Sequence, residues 1–408
     1  MTDFPTSSRE KVSHAATNQD RQAQEMLRQF SCASRPLVLL GAGAGLAGAA
    51  TSVQDWCEAH GLPFVSSWGG MPYLRRGSKN YLGSIGVYGS RFANWAVQSA
   101  DSILVFGSRL DNRQRTSDPR AFAPFAAIHV VDIDHEELKK YGSLPNYRTY
   151  EYDLRDVARL LQVADFAAPD IAAWLNAISS CRSEHDTGWE SACEVEQINP
   201  YKAVEILEKK FDVDAIVVAD CGANLCWVYQ SLGEHPGPIF TAGGNSPMGY
   251  SLPAAIGAAL TNQARQVICF IGDGGLQMNI QELQTVSHYR LNIQLIVMNN
   301  QGYGIIKQFQ DSNFGGRHFA SGIGYSTPDF EKIAFAYDIE YKRVTTVQEL
   351  EGIVLQDSAQ ILDLCLDPDT LICPKVEMNR FLHDQFPYLN DCASIPFGFD
   401  YPSRPSDL

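Results

Sequence analysis

Short, continuously apolar runs recur along the chain, each closing on a glycine or a polar turn, and stretches of helical periodicity separate them. The first run, Pro36-Leu37-Val38-Leu39-Leu40, stops at Gly41 and leads into a helical pattern over 47–59. Further strands are predicted at 62–66, 102–106 and 128–133, with helices over 92–99 and 136–140 between them. A second series follows Asn199-Pro200, with strands at 215–219, 267–271, 293–298 and 361–366. These strands are apolar throughout rather than alternating, so both faces of each sheet must be covered by helices. The pattern predicts an α/β chain of two open parallel-sheet domains, over 34–190 and 200–375. Residues 1–33 read as a polar N-terminal arm with helical character near 22–30, 191–199 as a linker, and 376–408 as a C-terminal tail or lid.

A chain of 408 residues, 45% of them hydrophobic, is too long for one core and can bury two. Its formal charge of −15 argues against nucleic acid or an anionic membrane as a bulk partner. It leaves room for a small phosphorylated ligand, because such sites use local backbone N–H groups. The N-terminal stretch has no apolar signal-like segment, and no run approaches the roughly 20 apolar residues of a membrane span. A soluble, cytoplasmic protein is expected. Ten scattered cysteines show neither C-x-x-C pairing nor zinc spacing, which predicts buried, reduced thiols.

The chemistry concentrates in the second series. The strand over 267–271 runs into Gly272-Asp273-Gly274-Gly275, and Asn279 with Glu282 has the spacing of a capping box opening a helix. The following strand runs into Asn299-Asn300-Gln301-Gly302. Such a strand–helix–strand unit makes its strands parallel, so Asp273 and Asn300 emerge at the same carboxyl edge, where open sheets bind ligands. Mg²⁺ takes hard oxygen ligands in near-octahedral geometry, commonly carboxylates plus substrate phosphates. Asp273 offers a carboxylate, Asn300 an amide oxygen and Gly302 an unhindered main-chain carbonyl. Gly274 and Gly275 leave N–H groups at a helix start, where a phosphate is stabilised. Gly-Asp-Gly alone is a common turn; the whole strand–GDG–helix–strand–Asn-Asn arrangement is far more specific.

That arrangement resembles the thiamine diphosphate signature of the acetolactate synthase-like family. The similarity extends upstream through Gly243-Gly244-Asn245-Ser246-Pro247-Met248-Gly249-Tyr250-Ser251 and downstream through Gly302-Tyr303-Gly304-Ile305-Ile306-Lys307-Gln308-Phe309. The resemblance implies thiamine diphosphate and Mg²⁺ as cofactors, with Asp273, Asn300 and the Gly302 carbonyl as metal ligands. It also implies cofactor contacts from Asn224, Ser246, Met248, Gly272, Gly274, Gly275, Tyr303 and Ile305. Met248 matches the position that wedges under the cofactor, against the plainer reading of a core methionine. Ser246 matches a backbone contact to the aminopyrimidine, and Asn224 lies in a diphosphate-contacting loop.

In the first domain, Gly43-Ala44-Gly45-Leu46-Ala47-Gly48 fits the Rossmann-like G-x-G-x-x-G fingerprint. The next strand ends Val65-Ser66-Ser67 without the acid a nicotinamide site needs, so a dehydrogenase is not expected. Gly107-Ser108-Arg109-Leu110-Asp111-Asn112-Arg113 and Val131-Asp132-Ile133-Asp134 resemble instead the family's central domain. In members with FAD these loops contact it; other members lack the flavin, and the sequence leaves both open. Arg109 and Arg113 suit a diphosphate or a solvated loop equally.

The resemblance covers the central and diphosphate-binding domains. The family's pyrimidine-binding domain, with the glutamate that activates the cofactor, has no counterpart among residues 1–33, and Glu10 and Glu25 lack its context. A separately encoded pyrimidine-domain subunit is therefore expected, in a hetero-oligomer such as a heterotetramer. The implied activity joins an acyl unit from a small 2-oxo acid such as pyruvate to an acceptor carbonyl, with loss of CO₂. A silent or regulatory subunit and a 2-oxo acid decarboxylase are the alternatives. Decarboxylases of the superfamily carry a glutamate near the position of Ile306, and its absence favours carboligation. Phe309 stands where acetohydroxyacid synthases carry a tryptophan that chooses the acceptor. His288 reads as structural, His318 stays undecided, and 315–322 reads as a loop over the site.

Overall fold

Residues 18–75, 77–163, 166–185, 198–232, 237–262, 265–388, 399, 401 and 404–407 are described by a computed structural model. The first sheet contains β1 (Pro36–Leu40), β2 (Phe64–Ser66), β3 (Tyr81–Ser84), β4 (Ser102–Phe106), β5 (Ala127–Asp132) and β6 (Tyr147–Glu151). The second contains β7 (Ile216–Ala219), β8 (Ile239–Phe240), β9 (Val267–Gly272), β10 (Ile293–Asn299), β11 (Glu340–Val344) and β12 (Gln360–Cys365). Their orders are β3-β2-β1-β4-β5-β6 and β11-β12-β10-β9-β7-β8, and every pairing is parallel.

The eight strands expected from the sequence are present, and all occupy interior positions of the two sheets. The four that the pattern does not predict, β3, β6, β8 and β11, are the four edges. An edge strand faces solvent along one side, so Tyr-Arg-Thr-Tyr-Glu and Glu-Tyr-Lys-Arg-Val need no continuous apolar run.

The second sheet shows why its interior strands are apolar throughout. Ile216, Val218, Val267, Cys269 and Ile271 enter a core on one face. Their neighbours Val217, Ala219, Ile268 and Phe270 enter another on the opposite face. Successive side chains of a strand point to opposite faces, so covering both leaves few polar positions, among them Gln294 on β10 and Asp363 on β12, whose side chains are hydrogen-bonded.

Two expectations need correcting. The helix Asn18–Phe30 buries Ala23, Met26, Leu27 and Phe30 in the first core, so this part of the polar arm is an amphipathic element of that domain. The predicted capping box at Asn279 does not form. Instead the helix Asp273–Met278 starts directly off β9 with Gly272 as its N-cap, and Asn279 ends it. The Asn279 amide donates to the Gly249 carbonyl at 2.9 Å, a tertiary bond that local spacing could not reveal.

Residues 1–17 and 191–197, hence Glu10 and most of the expected linker, lie outside the described residues. The tail turns back on the first domain. β13 (Lys375–Val376) and β14 (Gln385–Phe386) pair antiparallel, Val376 N–H donates to the Val87 carbonyl, and Arg91 donates to the carbonyls of Gln385 and Pro387. Among the described residues no helix is long and apolar enough to cross a membrane.

Candidate active site

In the second sheet the chain steps from β7 outward to β8, then returns to β9 on the other side of β7. Such a reversal opens a crevice at the carboxyl ends of the two strands, and ligands of open α/β sheets bind there. Asp220 follows β7, Asp273 follows β9, and the Asn300 turn follows β10. Met298 on β10 pairs with Gly272 on β9, which puts the Asn299–Gly302 turn beside Asp273.

A cavity of about 410 Å³ fills this crevice. Asn224, Ser246, Met248, Gly272, Asp273, Gly274, Gly275, Asn300, Gly302, Tyr303 and Ile305 all line it, so every site residue chosen from the sequence reaches one space. The first domain adds Trp68, Tyr88 and Arg113. Trp68 packs on Tyr88 and Tyr229 at ring-centroid distances of 6.2 and 5.2 Å, forming an aromatic wall.

Asp273 is buried, and burial raises its carboxyl from 3.8 to about 6 despite hydrogen bonds from the Tyr325 hydroxyl and the Gly274 N–H. The Tyr325 hydroxyl lies 3.0 Å from Asp273 Oδ2. Burial and that carboxylate push the hydroxyl above the usual phenol range, which keeps it a donor. Behind the Asn300 turn, Asn299 Nδ2 donates to Asp363 Oδ1 at 2.9 Å, and Tyr341 donates to Asp363 Oδ2 at 2.9 Å. Asn299 Oδ1 accepts the Gln301 N–H at 3.3 Å, fixing a turn whose Gln301 has a φ of 53°.

Two buried amide atoms at this edge, Asn300 Nδ2 and Asn224 Oδ1, have no hydrogen-bond partner among the described residues. Leaving a buried polar atom unpaired costs about 1–3 kcal/mol; the Asn300 Nδ2 donor suits a phosphate oxygen, while the Asn224 Oδ1 acceptor would need a donor such as a bound water. A carboxylate, an amide and a main-chain carbonyl form an all-oxygen donor set of the kind Mg²⁺ takes. Gly274 and Gly275, in the first turn of the helix Asp273–Met278, bring N–H groups suited to a diphosphate. The residues therefore fit a magnesium-bound diphosphate.

Several contributors escape a reading of the sequence alone. Asp220 accepts the N–H groups of Gly249 at 3.0 Å and Ser251 at 3.2 Å, and so shapes the turn after Met248. The sequence marks Asp220 only as part of a loop; its Asp-Cys-Gly context after an apolar strand is the available signal. Arg113 donates to Ser246 Oγ across the domain boundary. Tyr325 carries no local signal. His288 sits edge-on to Tyr289, and His318 bonds Asp311 at 2.6 Å; neither lines the cavity. The loop over 315–322 does reach the site, since the Ser321 carbonyl accepts the Tyr303 N–H at 2.9 Å.

A second cavity, of about 430 Å³, lies between the domains. Its lining includes Gly43, Gly107, Arg109, Asp132, Asp134 and Gly244, and it shares Arg113 and Ser246 with the first. A Cβ on Gly43 would lie 2.9 Å from the Gly107 carbonyl oxygen, so these glycines permit close approach of the β1 and β4 turns.

Two family models and several known proteins match this chain. Residues 23–147 match the thiamine pyrophosphate enzyme central domain, and residues 220–358 match the C-terminal TPP binding domain of thiamine pyrophosphate enzymes. The acetolactate synthase large subunit of Lactococcus lactis is 29% identical over 363 residues, 88% of this chain and 62% of that protein. The acetolactate synthase isozyme 3 large subunit of Escherichia coli is 30% identical over 351 residues, 85% of this chain and 60% of that protein. The isozyme 1 large subunit is 30% identical over 353 residues, 85% and 61% respectively. The chain thus spans about three fifths of the length of these relatives.

Proposed function

We propose, for a chain that belongs to the acetolactate synthase-like thiamine pyrophosphate enzymes, that it is the magnesium- and thiamine diphosphate-binding subunit of a carboligase. The observation carrying this reading is that residues from separate segments, chosen by sequence, line one cavity at the switch point of the second sheet. When bound, thiamine diphosphate supplies the electron sink for carbon–carbon bond chemistry. Asp273, Asn300 and the Gly302 carbonyl would hold Mg²⁺, and the Gly274 and Gly275 N–H groups would bind the diphosphate. Met248, 38% exposed on the cavity wall, would pack against the cofactor. Trp68 and Tyr88 on the same lining would limit the access of water.

Arg113 is the one cationic side chain among the described residues lining this cavity, and it receives the carboxylate of a 2-oxo acid such as pyruvate. Neutral Ile306 and Phe309 flank the cavity. They offer no acid to protonate the acyl unit, which favours passing it to an acceptor carbonyl over simple decarboxylation. FAD is the narrower assignment for the second cavity, supported by Arg109 for a diphosphate and by Asp132 and Asp134 for ribose hydroxyls.

The pyrimidine-binding half and the activating glutamate come from another chain, in a hetero-oligomer such as a heterotetramer. Supporting this, Ile306, Phe309, Phe314, Phe319 and Ile323 are exposed around the cleft.

Co-expression with an adjacent pyrimidine-domain gene, followed by thiamine diphosphate binding and pyruvate consumption assays, tests the reading. Asp273→Ala should abolish Mg²⁺-dependent binding, and an unchanged affinity would overturn the ligand assignment. Full pyruvate turnover by this chain alone would overturn the requirement for a partner.

A further inference from the structure

The segment Ser321–Ser326 touches both halves of the metal-ligand set. From one side, the Tyr325 hydroxyl donates to Asp273 Oδ2 at 3.0 Å. From the other, the Ser321 carbonyl accepts the N–H of Tyr303, the residue after Gly302, at 2.9 Å. Gln277, one turn after Asp273 on the same helix, brings its amide within 3.5 Å of the Tyr325 hydroxyl and 3.4 Å of the Ser326 carbonyl. The Tyr325 ring stands edge-on to Tyr303 with centroids 4.9 Å apart. A Cβ on Gly274 would fall 2.5 Å from Tyr303 Cε1 and 3.0 Å from the Tyr325 hydroxyl, so glycine there admits both rings against the Asp273 turn.

A carboxylate with one oxygen held by a hydroxyl presents the other oxygen to a cation. Mg²⁺, with near-ideal octahedral geometry at roughly 2.0–2.1 Å, suits a single carboxylate oxygen. Ca²⁺ takes about 6–8 ligands at roughly 2.3–2.6 Å and often uses both oxygens of one carboxylate. Partners that hold a ligand from outside typically contribute about 10–100-fold to metal affinity.

We propose that Tyr325 is a positioning residue of the metal site: by occupying Asp273 Oδ2 it confines the carboxylate to one-oxygen coordination and so favours Mg²⁺ over larger divalent cations. This rests on the proposed role of Asp273 as a metal ligand. Tyr325 is not among the residues lining the cavity and acts through Asp273. Sequence spacing could not find it, because the contact joins positions 52 residues apart.

The test uses the full chain and the Tyr325→Phe variant, which loses one oxygen. Thiamine diphosphate binding is followed by tryptophan fluorescence while Mg²⁺ or Ca²⁺ is titrated, since Trp68 and Trp227 line the cavity. The Mg²⁺ concentration for half-saturation should rise about tenfold or more, with a smaller change for Ca²⁺. The metal-free melting temperature should fall modestly, because Asp273 loses one buried hydrogen bond, and the role of Tyr325 is read from the difference between the two cations. No change with either cation, or equal changes with both, would overturn the role of Tyr325. Wild-type binding that ignores both Mg²⁺ and Asp273→Ala would instead refute the metal assignment itself.

Discussion

At the scale of single residues, the site carries a buried carboxylate without a counter-cation among the described residues. Burial lifts the Asp273 carboxyl from 3.8 to about 6, so the folded protein without metal holds a proton there that the unfolded chain releases. Between those values its stability rises as pH falls; above about 6 the buried charge destabilises the fold. Asp273→Asn removes the charge and keeps an acceptor for Tyr325. Without metal, this variant should be more stable than the parent at pH 8, by at most about 3 kcal/mol, and the gap should narrow to about half as pH falls to 5. Parallel melting curves across that range would contradict the assigned shift. Residue type and turn position marked Asp273 and Asn300 in the sequence, and the structure brings both to one cavity. Asp220, Arg113 and Tyr325 were not legible in these roles, since each acts through a partner distant in sequence.

At the scale of elements, close approach decides which glycines matter. In the first turn after β9, a Cβ on Gly275 would lie 2.2 Å from Asp220 Oδ2 and 3.1 Å from Ile271 Cγ1. Gly275→Ala should therefore destabilise by about 1–3 kcal/mol and weaken cofactor binding, because Asp220 must release the Gly249 and Ser251 N–H groups. Gly257, inside the helix Ser251–Thr261, has no atom near such a Cβ, so Gly257→Ala should stabilise by about 0.5–1 kcal/mol. Thermal melts of the two variants should move in opposite directions, and a shared direction would contradict this difference in packing. The interior strands were legible because burial on two faces leaves a continuous apolar run. The edges β3, β6, β8 and β11 were not, because their pairing on one side is set by a neighbouring strand. The capping-box spacing at Asn279 misled for a related reason: its amide is committed to Gly249 on a different element.

For the whole molecule, the tail holds to the first domain by returning across it. Arg91 is buried and donates to the Gln385 carbonyl at 2.9 Å, while Gln385 donates to the Gly89 carbonyl at 2.9 Å. Further on, Tyr401 donates to the Gln98 carbonyl at 2.7 Å. Val87, which takes the Val376 N–H, adjoins Tyr88 on the cavity wall, so the tail braces the first domain's contribution to the site. Arg91→Ala should cost about 2–4 kcal/mol and hasten proteolytic loss of the tail. Calorimetry and limited digestion would show it, and unchanged traces in both would remove the bracing role. The sequence by itself determined the interior strands of two parallel sheets and the oxygen-bearing turns at Asp273 and Asn300, because these depend on local periodicity and side-chain type, and the resemblance those turns carry implied the cofactor. Only the tertiary structure decided the sheet edges, the Arg113 bridge, and the outside partners that hold Asp273 and the Asn300 turn. Those depend on which distant segments meet, and burial creates their energies only after the chain has folded.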